Sequence, residues 1–212
     1  PAEVDELLDV LEARQNHFPM LETAAEDLSD EAGLRQSALE TGLSRHLAEA
    51  HGHVVRSMPA RVMETTPYRH DFHGKRVLFN ELAPPETRVF ALGKIVADLR
   101  LRDEINEIIA ATALREPASE AMLRTTLTSY FAAALMMPYA RFTEAALETR
   151  HDIDILQARF GASFEQVAHR LTTLQRPGTR ALPFFLLRMD AAGNVSKRFS
   201  AGGFSFSRYG GA

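Results

Sequence analysis

The chain has 212 residues, of which 45% are hydrophobic and 25% charged, enough apolar material for a core of ordinary size in one domain and too much for a disordered segment. Lacking cysteine, it can build no disulfide, no thiolate zinc site and no cysteine nucleophile, and its net charge of -4 does not suit a surface made to hold a polyanion. No apolar run approaches bilayer length and the opening PAEVDELLDV lacks the parts of a signal peptide, so the expected address is the cytoplasm, with no membrane contact.

In chain order, Val4, Leu7, Leu8 and Leu11 recur at helical spacing, and Leu39, Leu43 and Leu47 resume the pattern after a break at Asn16 to Pro19. The first fifty residues therefore read as two helices. After Gly52 the texture turns β-like at Val54 and Val55, and Tyr68 to Phe72 and Arg76 to Asn80 flank His73-Gly74 as a hairpin would. Pro84 and Pro85 end that segment, and Pro85 suits the first turn of a helix with Glu86 near the positive end of its dipole. This helix carries Val89, Leu92, Val96 and Leu99 on one side.

A short helix then holds Ile105, Ile108 and Ile109, before the cleanest pattern in the chain: Met122/Leu123, Leu127, Tyr130/Phe131 and Ala134/Leu135, stopped before Pro138. It predicts a central buried helix, with Tyr130 and Phe131 in the core. Ile153, Leu156 and Phe160 form a helix closed by Gly161, and Ser163 with Gln166 is a capping-box signature for the helix bearing Val167, Leu171 and Leu174. Beyond Pro177-Gly178, Leu182 to Met189 and Val195 to Phe199 read as two strands joined across Ala191 to Asn194. The predicted class is α+β, mainly helical with a small sheet, divided into a domain over 1–178 and the start of a C-terminal β element over 179–212.

Three blocks, RVFALGKIVADL, SYFAAALMMPYARF and RFGASFEQVAHRLTTLQRPG, resemble the ImmA/IrrE-like peptidase domain, and more closely the version found in actinobacterial short-chain fatty-acyl regulators. The resemblance implies a metallopeptidase-like fold used to sense an effector. It also implies a DNA-binding helix-turn-helix and a cysteine-bearing region, on either side of this part and outside this sequence, and it leaves a homodimer open.

A working peptidase of this kind needs HExxH on a helix, because two histidines one turn apart chelate one zinc while the Glu activates water. Laid on this sequence, the motif falls on Lys94, Ile95, Val96, Ala97 and Asp98, and the further acidic ligand meets Thr125, Thr126 and Leu127. A lysine ammonium repels the metal that an imidazole would bind, and Ile95 cannot take a proton. No zinc and no catalysis are expected. The remaining pairs, His51 with His53 and His70 with His73, do not rebuild the site from spacing alone.

What the resemblance implies as effector is CoA or a short-chain acyl-CoA such as propionyl-CoA, seated in the cleft between the altered helix and the FAAALMMP helix. Such a ligand needs cations for its phosphates, a flat group for adenine and a small apolar pocket for the acyl chain. Candidate residues are Arg69, Lys75, Arg76 and Phe79 on the hairpin, Arg88 at the start of the altered helix, Tyr139 after the central block, and Lys197 and Arg198 on the last strand. Simpler roles stand beside these: a half-solvated strand for the hairpin cations, a partner in Glu86 or Glu81 for Arg88, and one in Asp98 for Lys94. Two other readings compete with the sensor, a dimerisation scaffold without ligand and direct DNA binding by 159–174, whose recognition face has His169 and Arg170 as its nearest basic residues. A hydrolase lacks an assembled nucleophile, since Ser163 is used as a cap.

Overall fold

In a computed structural model of the chain, the residues described are 2–189, 191 and 195–200, the last six through their backbone alone. The N-terminal quarter forms three helices, α1 (Ala2–Ala13), α2 (Pro19–Glu31) and α3 (Leu39–His51), where the apolar spacing predicted two. The segment Asn16 to Pro19 breaks the first helix, as expected, but Pro19 also starts the second from the N1 position, where a missing N–H costs nothing. Helix α2 buries Leu21, Ala25 and Leu28, a stripe in which one alanine replaces a larger residue.

The sheet has three strands, β1 (Val54–Met58), β2 (Tyr68–Asp71) and β3 (Arg76–Asn80), in the order β1-β3-β2. The expected hairpin is the antiparallel pair of β2 and β3, and β1 adds in parallel on the other side of β3. Residues directly paired share a face, so Val55, Val77 and His70 form one row with Ser57, Phe79 and Tyr68. Val77 and Phe79 are fully buried, which makes this the face turned to the helices. Arg56, Leu78 and Arg69 share the opposite, outer face. A single-turn helix, α4 (Ala60–Met63), lies between β1 and β2.

The second half is helical: α5 (Pro85–Arg100), α6 (Arg102–Ala110), α7 (Pro117–Met136), α8 (Tyr139–Glu148), α9 (Ile153–Phe160) and α10 (Phe164–Leu171). Helix α7 is central, touching α1, α2, α5, α6 and α10. It is buried without a break from Tyr130 to Met136, as an all-round apolar helix must be. Helix α8 was not foreseen. Pro138 stops α7 and caps α8 at once, and α8 buries Tyr139, Phe142, Ala145 and Ala146. Gly161 (φ 59) closes α9 in the left-handed region, and the predicted capping box at Ser163 and Gln166 opens α10. The C-terminal strands β4 (Phe185–Met189) and β5 (Val195–Ser200) pair antiparallel; β4 begins three residues later than the apolar run, leaving Leu182 outside it.

Candidate functional site

Helices α5 and α7 cross closely because a glycine faces an alanine. A Cβ built on Gly93 would stand 2.8 Å from the Ala132 Cβ and 2.9 Å from its Cα. The two helices run antiparallel, since Phe90 shares a cavity with Ala133 while Asp98 shares another with Arg124. Phe90, Lys94 and Asp98 follow one another at one-turn spacing along one face of α5. Lys94 and Asp98, onto which the family resemblance lays the two histidines of HExxH, therefore share the α5 face that runs from Phe90 at the first cavity to Asp98 at the second.

The first cavity, of about 360 Å³, is lined by Phe90 of α5 and by Thr125, Thr126, Ser129 and Ala133 of α7. The start of α10 forms another wall through Ser163, Glu165, Gln166 and His169, and Leu186 of β4 closes it. The α10 wall is fixed in place: Ser163 Oγ accepts from Gln166 N at 3.2 Å, Gln166 Oε1 accepts from Ser163 N at 2.8 Å, and Gln166 Nε2 donates to the Glu86 carbonyl at 3.4 Å. The Thr125 and Thr126 hydroxyls donate to carbonyls one turn back, at 3.0 and 2.9 Å. Among the described residues the Ser129 hydroxyl has no hydrogen-bond partner, which leaves a donor and acceptor on the cavity wall.

The donor set does not fit zinc. The resemblance puts the first imidazole at Lys94 and the general base at Ile95, which is buried, and among the described residues no three His, Cys, Asp or Glu side chains gather as metal ligands. The histidines pair differently from the sequence spacing. The rings of His53 and His70 lie 5.2 Å apart across the inner face of the sheet, and His53 Nδ1 bonds the His51 carbonyl at 3.2 Å.

The expected ligand-binding set is dispersed. Arg69 is exposed on the outer face of the sheet, and Arg76 is exposed and held by Asp71 at 2.7 Å. Lys75, in the turn with φ 49, lies along Gly52. Phe79 is buried, with the Arg88 guanidinium 4.9 Å above its ring, and Arg88 pairs with Glu40 of α3 at 2.5 Å, not with Glu81 or Glu86. Tyr139 belongs to a different, buried network. The backbone of Lys197 and Arg198 runs in β5, and their side chains lie outside the described residues. Among the described residues Lys94 makes no ion pair with Asp98.

That network was not legible in the sequence. Arg170, fully buried at the end of α10, meets Glu22 of α2 through two bonds of 2.7 and 2.9 Å, and its Nε donates to the Met137 carbonyl at 3.0 Å. Tyr130 donates to Glu22 at 2.6 Å, and the rings of Tyr130 and Tyr139 each lie 5.8 Å from the guanidinium. Burial alone raises the Glu22 carboxyl, but attraction to and hydrogen bonding from Arg170 outweigh it and hold the carboxyl below its ordinary value. Burial and the neighbouring Glu22 charge push the Tyr130 phenol well up, so it stays a neutral donor. Asn16 donates to Thr172 at 2.8 Å and His17 bonds the Thr173 carbonyl at 3.0 Å, tying the α1–α2 corner to the end of α10. Arg170 therefore has no free charge for DNA phosphates, which removes its part in the helix-turn-helix reading of 159–174.

With this geometry in hand, the class is plain: the chain belongs to the IrrE N-terminal-like domain family, whose model matches residues 48–172. Residues 173–212 match a second model, the C-terminal region of the short-chain fatty acyl coenzyme A regulators. Among particular proteins, the chain is 37% identical over 98% of its length to the HTH-type transcriptional regulator RamB of Mycobacterium tuberculosis, covering 44% of that protein. It is 36% identical over its full length to the HTH-type transcriptional regulator PrpR of the same species, covering 43% of it. To the propionyl-CoA carboxylase regulator of Cereibacter sphaeroides it is 34% identical over its full length, covering 44% of that protein. A solved Mycobacterium tuberculosis transcriptional regulator superposes with a TM-score of 0.93 at 36% identity, over all of this chain and 64% of that one. The chain thus spans less than half the length of these curated relatives, all of which are named as regulators. Among the described residues no helix is long and apolar enough to cross a membrane.

Proposed function

We propose that this domain is the effector-sensing part of a bacterial transcriptional regulator, and that its α5–α7 cleft takes CoA or a short-chain acyl-CoA such as propionyl-CoA. The observation that carries the reading is the cleft itself. It lies beside the helix that, by the family resemblance, would carry the metallopeptidase motif, and that helix has Lys94 and Ile95 in place of a metal ligand and a base. Its first cavity, of about 360 Å³, has one aromatic wall and a row of Ala, Ser and Thr, a size and polarity suited to a short acyl thioester. Leu186, from the segment that resembles the fatty acyl coenzyme A regulators, closes it, so a ligand there would touch both matched regions. The names of PrpR and of the propionyl-CoA carboxylase regulator agree in kind with such an effector. In this reading DNA is met by a helix-turn-helix outside the sequence, the domain is not an enzyme, and no zinc is needed.

The test is thermal and chemical unfolding of the protein with CoA, acetyl-CoA, propionyl-CoA and a longer-chain thioester. A ligand present at a hundred times its Kd adds about 2.7 kcal/mol to unfolding stability. Saturable stabilisation by the short thioesters, stronger than by CoA alone, is the expected result. No stabilisation by any of them would leave the domain as a scaffold without a ligand.

A further inference from the structure

We infer that the corner between α1 and α2 is a strained latch closed by the end of α10, and that spreading α10 from α7 opens it. The inference rests on the first cavity being a ligand site, and adds the path by which its occupancy reaches the N-terminal helices.

A helix commonly closes on one left-handed residue, most often Gly. Helix α1 closes on two, Gln15 (φ 52) and Asn16 (φ 49), and neither is glycine. The left-handed region crowds the Cβ of each against its own backbone. The Asn16 backbone N–H reaches the Leu11 carbonyl at 2.8 Å and that of His17 the Arg14 carbonyl at 3.0 Å, so the chain reverses direction within a few residues before Pro19 starts α2. A conformation of this cost persists where the surrounding structure holds it.

What holds this corner is the end of α10. Asn16 and His17 are buried, the Asn16 side-chain N–H donates to the Thr172 hydroxyl at 2.8 Å, and His17 Nδ1 bonds the Thr173 carbonyl at 3.0 Å. The fit is incomplete. Asn16 Oδ1, His17 Nε2 and Gln175 Nε2 are buried there without a hydrogen-bond partner, which raises the energy of the closed corner further.

Two hydrogen bonds connect the latch to the first cavity. His169 lines that cavity, its carbonyl accepts from the Thr172 hydroxyl at 2.6 Å, and the same hydroxyl accepts from Asn16. The helices on either side of the corner are tied to opposite walls. Glu22 of α2 is bound to Arg170 of α10, while Glu6 of α1 accepts from the Ser119 hydroxyl of α7 at 2.8 Å. An occupant that spreads α7 from α10 therefore draws the anchors of α1 and α2 apart, and the load falls on the bonds at Asn16 and His17. Helix α1 is the one that yields, since among its described residues it buries Leu7 and Leu11 alone. If occupancy opens the corner, then opening the corner must favour occupancy to the same degree.

The experiment is hydrogen–deuterium exchange of the protein and of its Thr172→Val and Gln15→Gly variants, with and without propionyl-CoA as the probe. Thr172→Val removes the bond to Asn16 at nearly constant volume, and is expected to speed exchange at residues 14–18 by about two- to tenfold, the worth of one hydrogen bond. Gln15 is exposed, and Gln15→Gly relieves a left-handed residue without touching that bond, so exchange there should slow by about two- to fivefold. Saturating propionyl-CoA should speed the same amides in the parent. Calorimetric titration should then find tighter binding to Thr172→Val and weaker binding to Gln15→Gly, each by no more than the change in exchange. Exchange at 14–18 that is the same in Thr172→Val as in the parent would overturn the latch. Bound propionyl-CoA that leaves those amides unchanged or slower, or equal affinities in all three proteins, would overturn its link to the cavity and leave the acyl-CoA reading standing. If propionyl-CoA does not bind, that reading falls, and the link is decided by Gln166→Ala, which unfastens the α10 wall from Ser163 and Glu86. Faster exchange at 14–18 in that variant supports the link, and unchanged exchange overturns it.

Discussion

Replacing Glu22 by Met would leave Arg170 charged in a site that water does not reach. The guanidinium would keep the Met137 carbonyl and the Thr173 hydroxyl, at 3.0 and 3.1 Å, but lose both carboxylate bonds, and Tyr130 would lose its acceptor. Breaking a buried pair from one side costs roughly 3 to 5 kcal/mol, because the remaining charge is uncompensated. The mirror change, Arg170→Met, strands the Glu22 carboxylate, which can escape by taking up a proton, so its cost should be smaller near pH 5 than near pH 8. The double variant removes both charges, and well-packed apolar replacements of a buried pair are often neutral or better, so it should recover most of the loss. Urea unfolding followed by circular dichroism measures all four proteins, and equal slopes would make the midpoints comparable. A loss below about 1 kcal/mol in Glu22→Met, or a double variant as unstable as the two singles added, would refute the view that this pair is a desolvated, mutually dependent unit.

Three further outcomes follow from the same geometry. Gly93→Ala should destabilise the fold by about 1 to 3 kcal/mol in a thermal melt, although alanine favours helix by up to about 1 kcal/mol, because the new methyl meets the Ala132 backbone. Stability should fall on acidification in two stages: burial holds His17, His46, His51 and His70 below their ordinary 6.5, so the unfolded chain takes up their protons first as pH drops through 6.5. Glu22, held below its ordinary 4.5, contributes stability that is present above 4.5 and lost as pH falls further, and Glu22→Gln should shrink this second stage of the pH profile of the urea midpoint, to which Glu6 and Asp71, also held low by their hydrogen bonds, add the remainder. Elemental analysis of protein purified with zinc in the medium should find no stoichiometric metal, and one zinc per chain would overturn the reading of Lys94 and Asp98 as a lost site.

Strongly periodic elements were legible before the structure: α5, α7 and α9, the hairpin, and the capping box of α10 all stand where spacing and turn residues put them. Helices α2 and α8 were missed for one physical reason. In the sequence Pro19 and Pro138 read as stops, yet Pro19 also begins a helix and Pro138 caps one, and the stripes that follow, Leu21-Ala25-Leu28 and Tyr139-Phe142-Ala145, signal weakly through alanine. The packing of α5 against α7 was legible through the family pattern. The cavity walls were not, since Ser129, Ala133, Gln166 and Leu186 carry no chemical signature and meet only in three dimensions. Cations drew attention by clustering in sequence on the hairpin, whereas Arg102 and Arg124 converge from two helices. Arg170 passed for a surface residue because its partner, Glu22, lies 148 positions away.

The most direct test of the acyl-CoA reading is a crystal structure of the domain with propionyl-CoA. The propionyl group is expected against Phe90, Ser129 and Ala133 in the α5–α7 cleft, with the chain of the ligand passing Lys94. A ligand seated on the outer face of the sheet beside Arg69 and Arg76, or an empty cleft at saturating propionyl-CoA, would contradict it.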